Sequence, residues 1–359
     1  MDALATKQNG VHYTPPELAG FLARQIVSGL SSSLLNAKSL SILDPACGDG
    51  ELLESLVSEL GRHSKARLNL RGFEIDSFAA NTANSRLRKL ERVDVSIKED
   101  DFLESDLFDR DAGSFDIVIA NPPYVRTQTL GGIRSQALAS KFGLTGRVDL
   151  YHAFAVAITQ VLRQGGSLGL LTSNRFLSVR SGKAMRSLLR EEFDLQSIFD
   201  LGDTRLFEAA VLPAIVVGRK KNADVDGENR KLKRNCATKF HRIYVQDGGK
   251  EIQGEAGVDP GASFLPTALE AIEDKKQSGQ VRTTEGVFAI QRGELISADA
   301  SVWTLGNSQT KKWLGSIHAN QICKFGDVSE IKVGIKTTAD SVFIADDWSA
   351  LDKLSLIHI

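Results

Sequence analysis

Cysteine is scarce. Three residues in 359, Cys47, Cys236 and Cys323, are too few and too scattered for a disulfide framework or a cysteine-based zinc site. Long apolar runs are missing too. No stretch approaches the ~18 apolar residues of a membrane helix, so no membrane association is expected. Residues 1–10 are polar and lack the apolar core of a signal peptide, which makes the cytoplasm the expected compartment. The net charge is only -1, which excludes a globally basic nucleic-acid binder. Any field that attracts a polyanion must be local. No internal repeat or low-complexity tract is visible. Length and an ordinary apolar content allow one large globular domain plus a second.

What is present is an alternation of strand and helix from Leu40 to about Lys220. Ser39–Leu43, Leu68–Ile75, Val93–Ile97, Phe115–Ala120, Ser167–Leu171, Leu195–Leu201 and Leu212–Gly218 read as strands. Between them, Leu52–Leu60, Phe78–Leu90, Leu150–Leu162 and residues 182–191 carry helical periodicity, the third ended by Gly165-Gly166. Repeated β-α units of this length predict an α/β fold, a doubly wound and mostly parallel sheet. Residues 221–240 hold six basic and three acidic side chains and almost no large apolar ones, which predicts a linker. The expected division is therefore 1–220, linker 221–240, and a strand-rich second domain over 241–359. That second domain is expected to be incomplete, because a new segment begins at Leu354.

The strand ends carry the chemistry, since open α/β sheets bind ligands at their carboxyl edge. The first strand runs into Asp44-Pro45-Ala46-Cys47-Gly48-Asp49-Gly50 and then directly into a helix. Small residues let a ligand approach the backbone, and Gly48 and Gly50 permit unusual dihedrals. Neither a Gly-x-Gly-x-x-Gly fingerprint nor a Gly-Lys-Ser/Thr follows, which disfavours a pyrophosphate or triphosphate ligand. The second strand ends in Glu74-Ile75-Asp76, where a carboxylate accepts from ribose hydroxyls. The third leads to Asp100-Asp101-Phe102-Leu103, where Asp101 can accept from an adenine amine and Phe102 can cover the ring. Together these describe an adenosine site without a phosphate cradle, which points to S-adenosylmethionine. Singly, Asp44 could cap a helix, Glu74 could be a solvated strand end and Asp101 a turn residue. Their occurrence in order at successive strand ends argues against coincidence. Cys47 reads as a packing residue rather than a nucleophile.

At the end of the fourth strand stands Asn121-Pro122-Pro123-Tyr124. Two prolines forbid a helical continuation and remove two backbone donors, leaving carbonyls free to accept. An amide, a bare carbonyl and an aromatic face at one strand end suit a planar ring with an exocyclic amine.

With these motifs the sequence resembles the amino-group DNA methyltransferases of bacterial restriction–modification systems, in the N6-adenine group. Asn-Pro-Pro-Tyr also occurs in methyltransferases of release-factor glutamine. Gly10-Val11-His12-Tyr13-Thr14-Pro15-Pro16-Glu17-Leu18 separates the two, because it resembles the motif that precedes the cofactor loop in gamma-ordered DNA enzymes. The resemblance covers roughly residues 9–220. It implies that Tyr13 and Thr14 close over the methionine end of S-adenosylmethionine, with Asp44, Ala46, Gly48, Gly50, Glu74, Ile75, Asp101 and Phe102 completing the cofactor site. It implies that Asn121 and the Pro122 carbonyl accept both hydrogens of the target amine. Tyr124 would stack on an extruded base, with Pro123 and Phe207 as further base contacts. Asp149-Leu150-Tyr151 is similar to a helix-start signature of these enzymes, with Asp149 as cap. The implied substrate is double-stranded DNA, and the implied partner activity a restriction nuclease, fused or separate. Arg126, Arg175, Arg180, Lys183 and Arg186 lie in or after the strand-end loops and could reach phosphates, although such residues more often form a solvated face. Lys332–Asp340 resembles the opening of a recognition domain. No metal is expected. Two other readings remain at this stage: protein-glutamine methylation, and a non-catalytic cofactor- or DNA-binding subunit.

Overall fold

A computed structural model describes residues 13–124, 131–144, 149–204, 212–222, 237–245, 265–296, 302–303, 305–306, 308–320 and 322. The chain divides into compact units at 1–308 and 309–359. Helix α1 (Pro16–Ser28) opens the described fold. Pro16 stands in its first turn, where a missing N–H costs nothing, and Glu17 complements the helix dipole there. Its Leu18, Phe21, Leu22 and Ile26 recur at helical spacing and are buried.

The sheet follows in chain order: β1 (Ser39–Asp44), β2 (Arg67–Glu74), β3 (Val93–Glu99), β4 (Phe115–Ala120), β5 (Leu162–Ser173), β6 (Phe193–Asp200) and β7 (Pro213–Lys220). Helices α2 (Glu51–His63) and α3 (Ser77–Leu87) connect the first three strands. Helix α4 (Gly132–Lys141) follows β4, α5 (Leu150–Val161) precedes β5, and α6 (Lys183–Glu192) precedes β6. In space the strands run β3-β2-β1-β4-β5-β7-β6. The first five pair in parallel, and β7 is antiparallel to both β5 and β6. This is the α/β, mostly parallel sheet that the sequence led one to expect, with β6 and β7 adding an antiparallel hairpin.

Period-two alternation divides the core between the two faces of the sheet. Ile117 and Ile119 of β4 join the cluster under α1 and α2, with Leu40, Ile42, Ile215 and Val217. Val118 and Ala120 point the other way, into the cluster under α5 and α6 with Phe102, Leu168 and Val216. Each such buried aliphatic side chain is worth about 1.5–3 kcal/mol relative to exposure.

Two expectations are revised. The third helix ends at Val161, and β5 starts at once at Leu162, so Gly165-Gly166 lies inside the strand. The β4–β5 register shifts beside it, between Phe115 and Ile117, and a bulge absorbs the pair. The sheet also does not stop near residue 220. Strand β8 (Lys239–Val245) pairs in parallel with β6, and β10 (Gly286–Leu295) pairs antiparallel with β8. Strands β9 (Gly279–Thr283) and β11 (Leu305–Gly306) flank β10. The chain expected to begin a separate domain thus extends the first sheet. The cause is visible in β8, whose buried Phe240 and Ile243 belong to the two main core clusters. Residues 223–236 of the expected linker lie outside the described residues.

Helix α7 (Ala268–Glu273) fixes this extension. Glu273 receives Arg24 Nε of α1 at 2.9 and 3.0 Å, and Gln25 Nε2 at 3.0 Å. Arg292 of β10 caps the same, C-terminal end, donating to the carbonyls of Ile272 (2.9 Å), Asp274 (2.7 Å) and Gln277 (2.7 Å). Helix α8 (Ser308–Asn320) starts at the last residue of the first unit, and in the second unit the described residues are 309–320 and Ile322. Lys332–Asp340 lies outside them. Among the described residues, no helix is long and apolar enough to cross a membrane.

Candidate active site at the carboxyl edge of the sheet

β1 ends at Asp44, whose side chain is fully buried. Its Oδ1 accepts from the Ala46 N–H at 3.1 Å, and its Oδ2 has no partner among the described residues. Burial pushes the carboxyl up to about 8, the Ala46 donor pulls it down, and the nearby Glu74 charge pushes it up. The loop then turns through Gly48 (φ 54°) and Gly50 (φ 89°), both left-handed, and Gly50 occupies the N-cap of α2. A side chain at either would be strained. Cys47 is buried, and its thiol is pushed up mainly by that burial, which fits a packing role.

Glu74, at the end of β2, ties two loops together. Its Oε2 accepts from the Gly48 N–H and its Oε1 from the Asp76 N–H, each at 2.9 Å. Asp76 in turn caps α3 through the Ala79 N–H at 2.8 Å. Ile75 and Phe78 beside it are 65% and 63% exposed, so two apolar side chains stand uncovered next to Glu74. Tyr13 lies over Gly48: a Cβ there would meet its ring carbons at 3.6 Å. Partial burial raises the Tyr13 hydroxyl's pKa, and the charges of Asp76, Asp49 and Glu74 add to this.

Asp101 caps a 3-10 turn through the Leu103 N–H (3.0 Å), and its Oδ2 takes Arg134 Nη2 of α4 at 2.5 Å. The ring of Phe102 is not at the surface. It is 1% exposed, stacked on Phe154 at 5.7 Å and edge-on to Phe73 at 5.5 Å. Its expected cover of an adenine ring is therefore corrected to a core role. The aromatic cluster gains more from burying that side chain than from leaving it on the edge.

β4 delivers Asn121 to the same edge. Asn121 Nδ2 donates to Thr14 Oγ1 at 3.0 Å, and Asn121 Oδ1 accepts from the Tyr124 hydroxyl at 2.8 Å. These two bonds set the amide's orientation, with Oδ1 toward Tyr124. The Tyr13-Thr14 segment and the Asn-Pro-Pro-Tyr loop are thereby joined directly, although 107 positions separate Thr14 from Asn121. Pro122 is buried, while Pro123 and Tyr124 are partly buried. Burial pushes the Tyr124 hydroxyl well above its usual range, so it is a neutral donor.

Of the remaining expected residues, Phe207 and Arg126 lie outside the described residues. Arg175, Arg180 and Lys183 are exposed. Arg186 is not. It is 2% exposed and donates to the carbonyls of Phe176 (2.5 Å) and Val179 (2.9 Å), which makes it a structural clamp rather than a phosphate contact. Asp149 holds the N-cap position of α5 without a side-chain cap bond. Two features were not foreseen: the Arg134–Asp101 pair, and a network in which Asp200 accepts from Asn174 (2.9 Å) and Arg242 (2.8 Å). Asp200 and Asn174 both stand at strand ends, which was the available signal.

A sheet in this order, with small-residue, acidic and amide–aromatic loops along one edge, defines a protein of the methyltransferase fold class. The comparisons find similarity to proteins of that class. Residues 40–207 match the family described as Eco57I restriction-modification methylase. The type II methyltransferase M.BanIII of Aneurinibacillus aneurinilyticus is 36% identical over 359 residues, covering 96% of this chain and 59% of that protein. M.BstVI of Geobacillus stearothermophilus is 29% identical over 245 residues, covering 61% of this chain and 43% of that protein. The chain is thus similar to type II restriction–modification methyltransferases, and it spans about three-fifths or less of the length of these curated relatives. The type IIG restriction endonuclease BpuSI shares the fold, with a TM-score of 0.50 at 18% identity, over 81% of this chain and 32% of that one.

Proposed function

We propose that the chain transfers a methyl group from S-adenosylmethionine to the N6 amine of adenine in DNA. The observation that carries this reading is the Thr14–Asn121–Tyr124 cluster at the end of β4, beside the Asp44–Gly48–Glu74 loops.

The site residues fit the cofactor on their own chemistry. A fully buried carboxyl with one unpartnered oxygen, Asp44, suits a cationic ammonium group nearby. Glu74 is anchored by two backbone donors and retains lone pairs for ribose hydroxyls. Exposed Ile75 offers an apolar surface for a purine face, and Asp101 an acceptor for its amine. When bound, S-adenosylmethionine supplies an electrophilic sulfonium methyl.

The protein's part is to orient the nucleophile. The N6 lone pair of adenine is delocalised into the ring and attacks poorly. Asn121 Oδ1 uses one lone pair for Tyr124 and keeps the other for an amine hydrogen. The Pro122 carbonyl is assigned the second hydrogen. Two acceptors so placed favour a tetrahedral nitrogen whose lone pair faces the methyl group. The N–C bond then forms as the S–C bond breaks, in line, and the amine proton is lost after transfer. Proximity and preorganised acceptors supply the rate, with no covalent enzyme intermediate. The base must leave the duplex at a cost of a few kcal/mol. Stacking on Tyr124 offsets roughly 1–3 kcal/mol of that. Phe207 is proposed as a second aromatic contact and Pro123 as part of the base site.

The test is tritiated methyl transfer from S-adenosylmethionine to unmethylated DNA, followed by nucleoside analysis. N6-methyladenosine is expected. Label in N4-methylcytosine, or in a protein glutamine instead of DNA, would refute the assignment. Asn121→Ala should retain cofactor binding by calorimetry and lose transfer by at least 100-fold, the usual scale for a positioned polar group. Near-normal turnover in that variant would refute the mechanism.

A further inference from the structure

The carboxyl ends of β6 and β8 enclose a second polar groove of about 470 Å³, away from the loops that follow β1, β2 and β4. Arg242, Tyr244, Gln291, Asp203 and Leu212 line it, over a floor that includes Asp200. The register explains the arrangement. Asp200 of β6 pairs with Arg242 of β8, and Arg242 pairs with Gln291 of β10, so the three form one row across adjacent strands.

Asp200 is buried and fully engaged, by Asn174 Nδ2 (2.9 Å), the Gly202 N–H (3.2 Å) and Arg242 Nε (2.8 Å). Only the Nε of Arg242 is used, so among the described residues its two terminal nitrogens are unpartnered. The buried carboxylate thus aims a guanidinium fork into the groove. Gln291 Nε2 donates to the Tyr244 hydroxyl at 3.3 Å, leaving the amide oxygen free. Asp203 Oδ1 accepts from the Val245 N–H at 3.0 Å, leaving the second oxygen free. A fork of donors, an amide acceptor, a carboxylate acceptor, a phenol and an exposed Leu212 (47%) are the groups that read a base edge. The volume lies within the range of small-ligand sites.

Position supports the same occupant. β4, β5, β6 and β8 run in one direction, so this groove and Asn121 open on the same edge of the sheet. Three to four strand spacings separate them, roughly 14–19 Å at ~4.8 Å each. At 3.4 Å per step along a duplex strand, that is about four to six base pairs.

We infer that the Arg242–Tyr244–Gln291 groove reads a guanine-containing base pair several steps from the methylated adenine. The inference rests on the DNA reading above. It assigns sequence recognition to the methyltransferase sheet itself.

The test is photocrosslinking of the full chain to a pool of randomised duplexes with 5-iodouracil in place of thymine. Tryptic peptides are then identified by mass spectrometry. Residues 243–250 carry Tyr244 as their only tyrosine, and residues 111–126 carry Tyr124. Crosslinks to both peptides are expected. A crosslink to residues 111–126 but never to 243–250 would overturn the groove while leaving the DNA reading intact. No DNA crosslink on either would overturn both. In the same pool, duplexes retained by wild type should be enriched in guanine at one position relative to the methylated adenine. Gln291→Ala should reduce that enrichment by about tenfold, the scale of one good base contact. Enrichment unchanged in the variant, or absent in wild type, would count against base reading here.

Discussion

Asp44→Asn separates the cost of a buried carboxyl from its use. In the folded protein burial holds Asp44 up to about 8, against an ordinary 3.8. Between those values the folded state keeps a proton that the unfolded chain has released. Stability contributed by this group is therefore complete below pH ~4 and lost as pH rises toward 8. The slope is about 1.36 kcal/mol per pH unit, and roughly four units give a loss of about 5 kcal/mol. Asparagine keeps the shape, can still accept from the Ala46 N–H, and does not titrate. The assay is urea denaturation of wild type and variant at closely spaced pH. Their stability difference should swing toward the variant between pH 4 and 8 and be flat outside that window. A difference that stays flat throughout would refute the reasoning. The proposed cofactor adds a second signature. If its ammonium pairs with Asp44, binding at pH 7 ionises the carboxyl and releases a proton. Calorimetric enthalpies in wild type would then depend on buffer ionisation, and those in Asp44→Asn would not.

Three further outcomes follow from particular contacts. Tyr124→Phe keeps the ring but removes the donor to Asn121 Oδ1, so transfer should persist with a loss of about 1 kcal/mol or less, whereas Tyr124→Ala should lose far more. Single-turnover rates distinguish the two, and equal losses would assign the role to the hydroxyl. Arg134→Met should tighten cofactor binding several-fold, because Asp101 Oδ2 is then free to accept; unchanged or weaker affinity by calorimetry would remove the competition argument. Arg292→Met should cost about 1–3 kcal/mol in denaturation experiments, since it uncaps α7 and frees carbonyls that are partly buried at most; a loss under 0.5 kcal/mol would contradict the clamp.

The strands that carry the loops were legible because each is a short apolar run, as in Phe115-Asp116-Ile117-Val118-Ile119-Ala120. Asp116 interrupts that run without breaking it, because its carboxylate accepts from the Ser41 N–H at 2.7 Å and pairs with Arg163. Helix α1 was overshadowed by the Tyr13-Thr14-Pro15 motif, although Leu18, Phe21, Leu22 and Ile26 spell it out. The extension of the sheet past residue 220 was not legible. A charged stretch marks exposure, and exposure does not say whether the chain returns to the same sheet. Side-chain direction was the other blind spot. Phe102 just after β3 and Arg186 in α6 have the right types for ligand contact, yet both turn inward, to rings in one case and carbonyls in the other. Three-dimensional partners decide that, and they lie far away in sequence.

Strands β6, β8 and β10 carry two rows that sit back to back. Phe199, His241 and Arg292 share one register line, with the rings of Phe199 and His241 stacked at 4.7 Å and Arg292 reaching His241 Nδ1 at 2.9 Å. The next line holds Asp200, Arg242 and Gln291 on the opposite face. One row anchors α7 and the other opens to the edge. Neighbouring residues thus serve different structural ends. The Asp200 line builds the groove while the Phe199 line holds the register, and a single-residue slip would exchange them and ruin both. Arg242 and Gln291 can therefore be replaced without disturbing the Phe199–His241–Arg292 line on the other face.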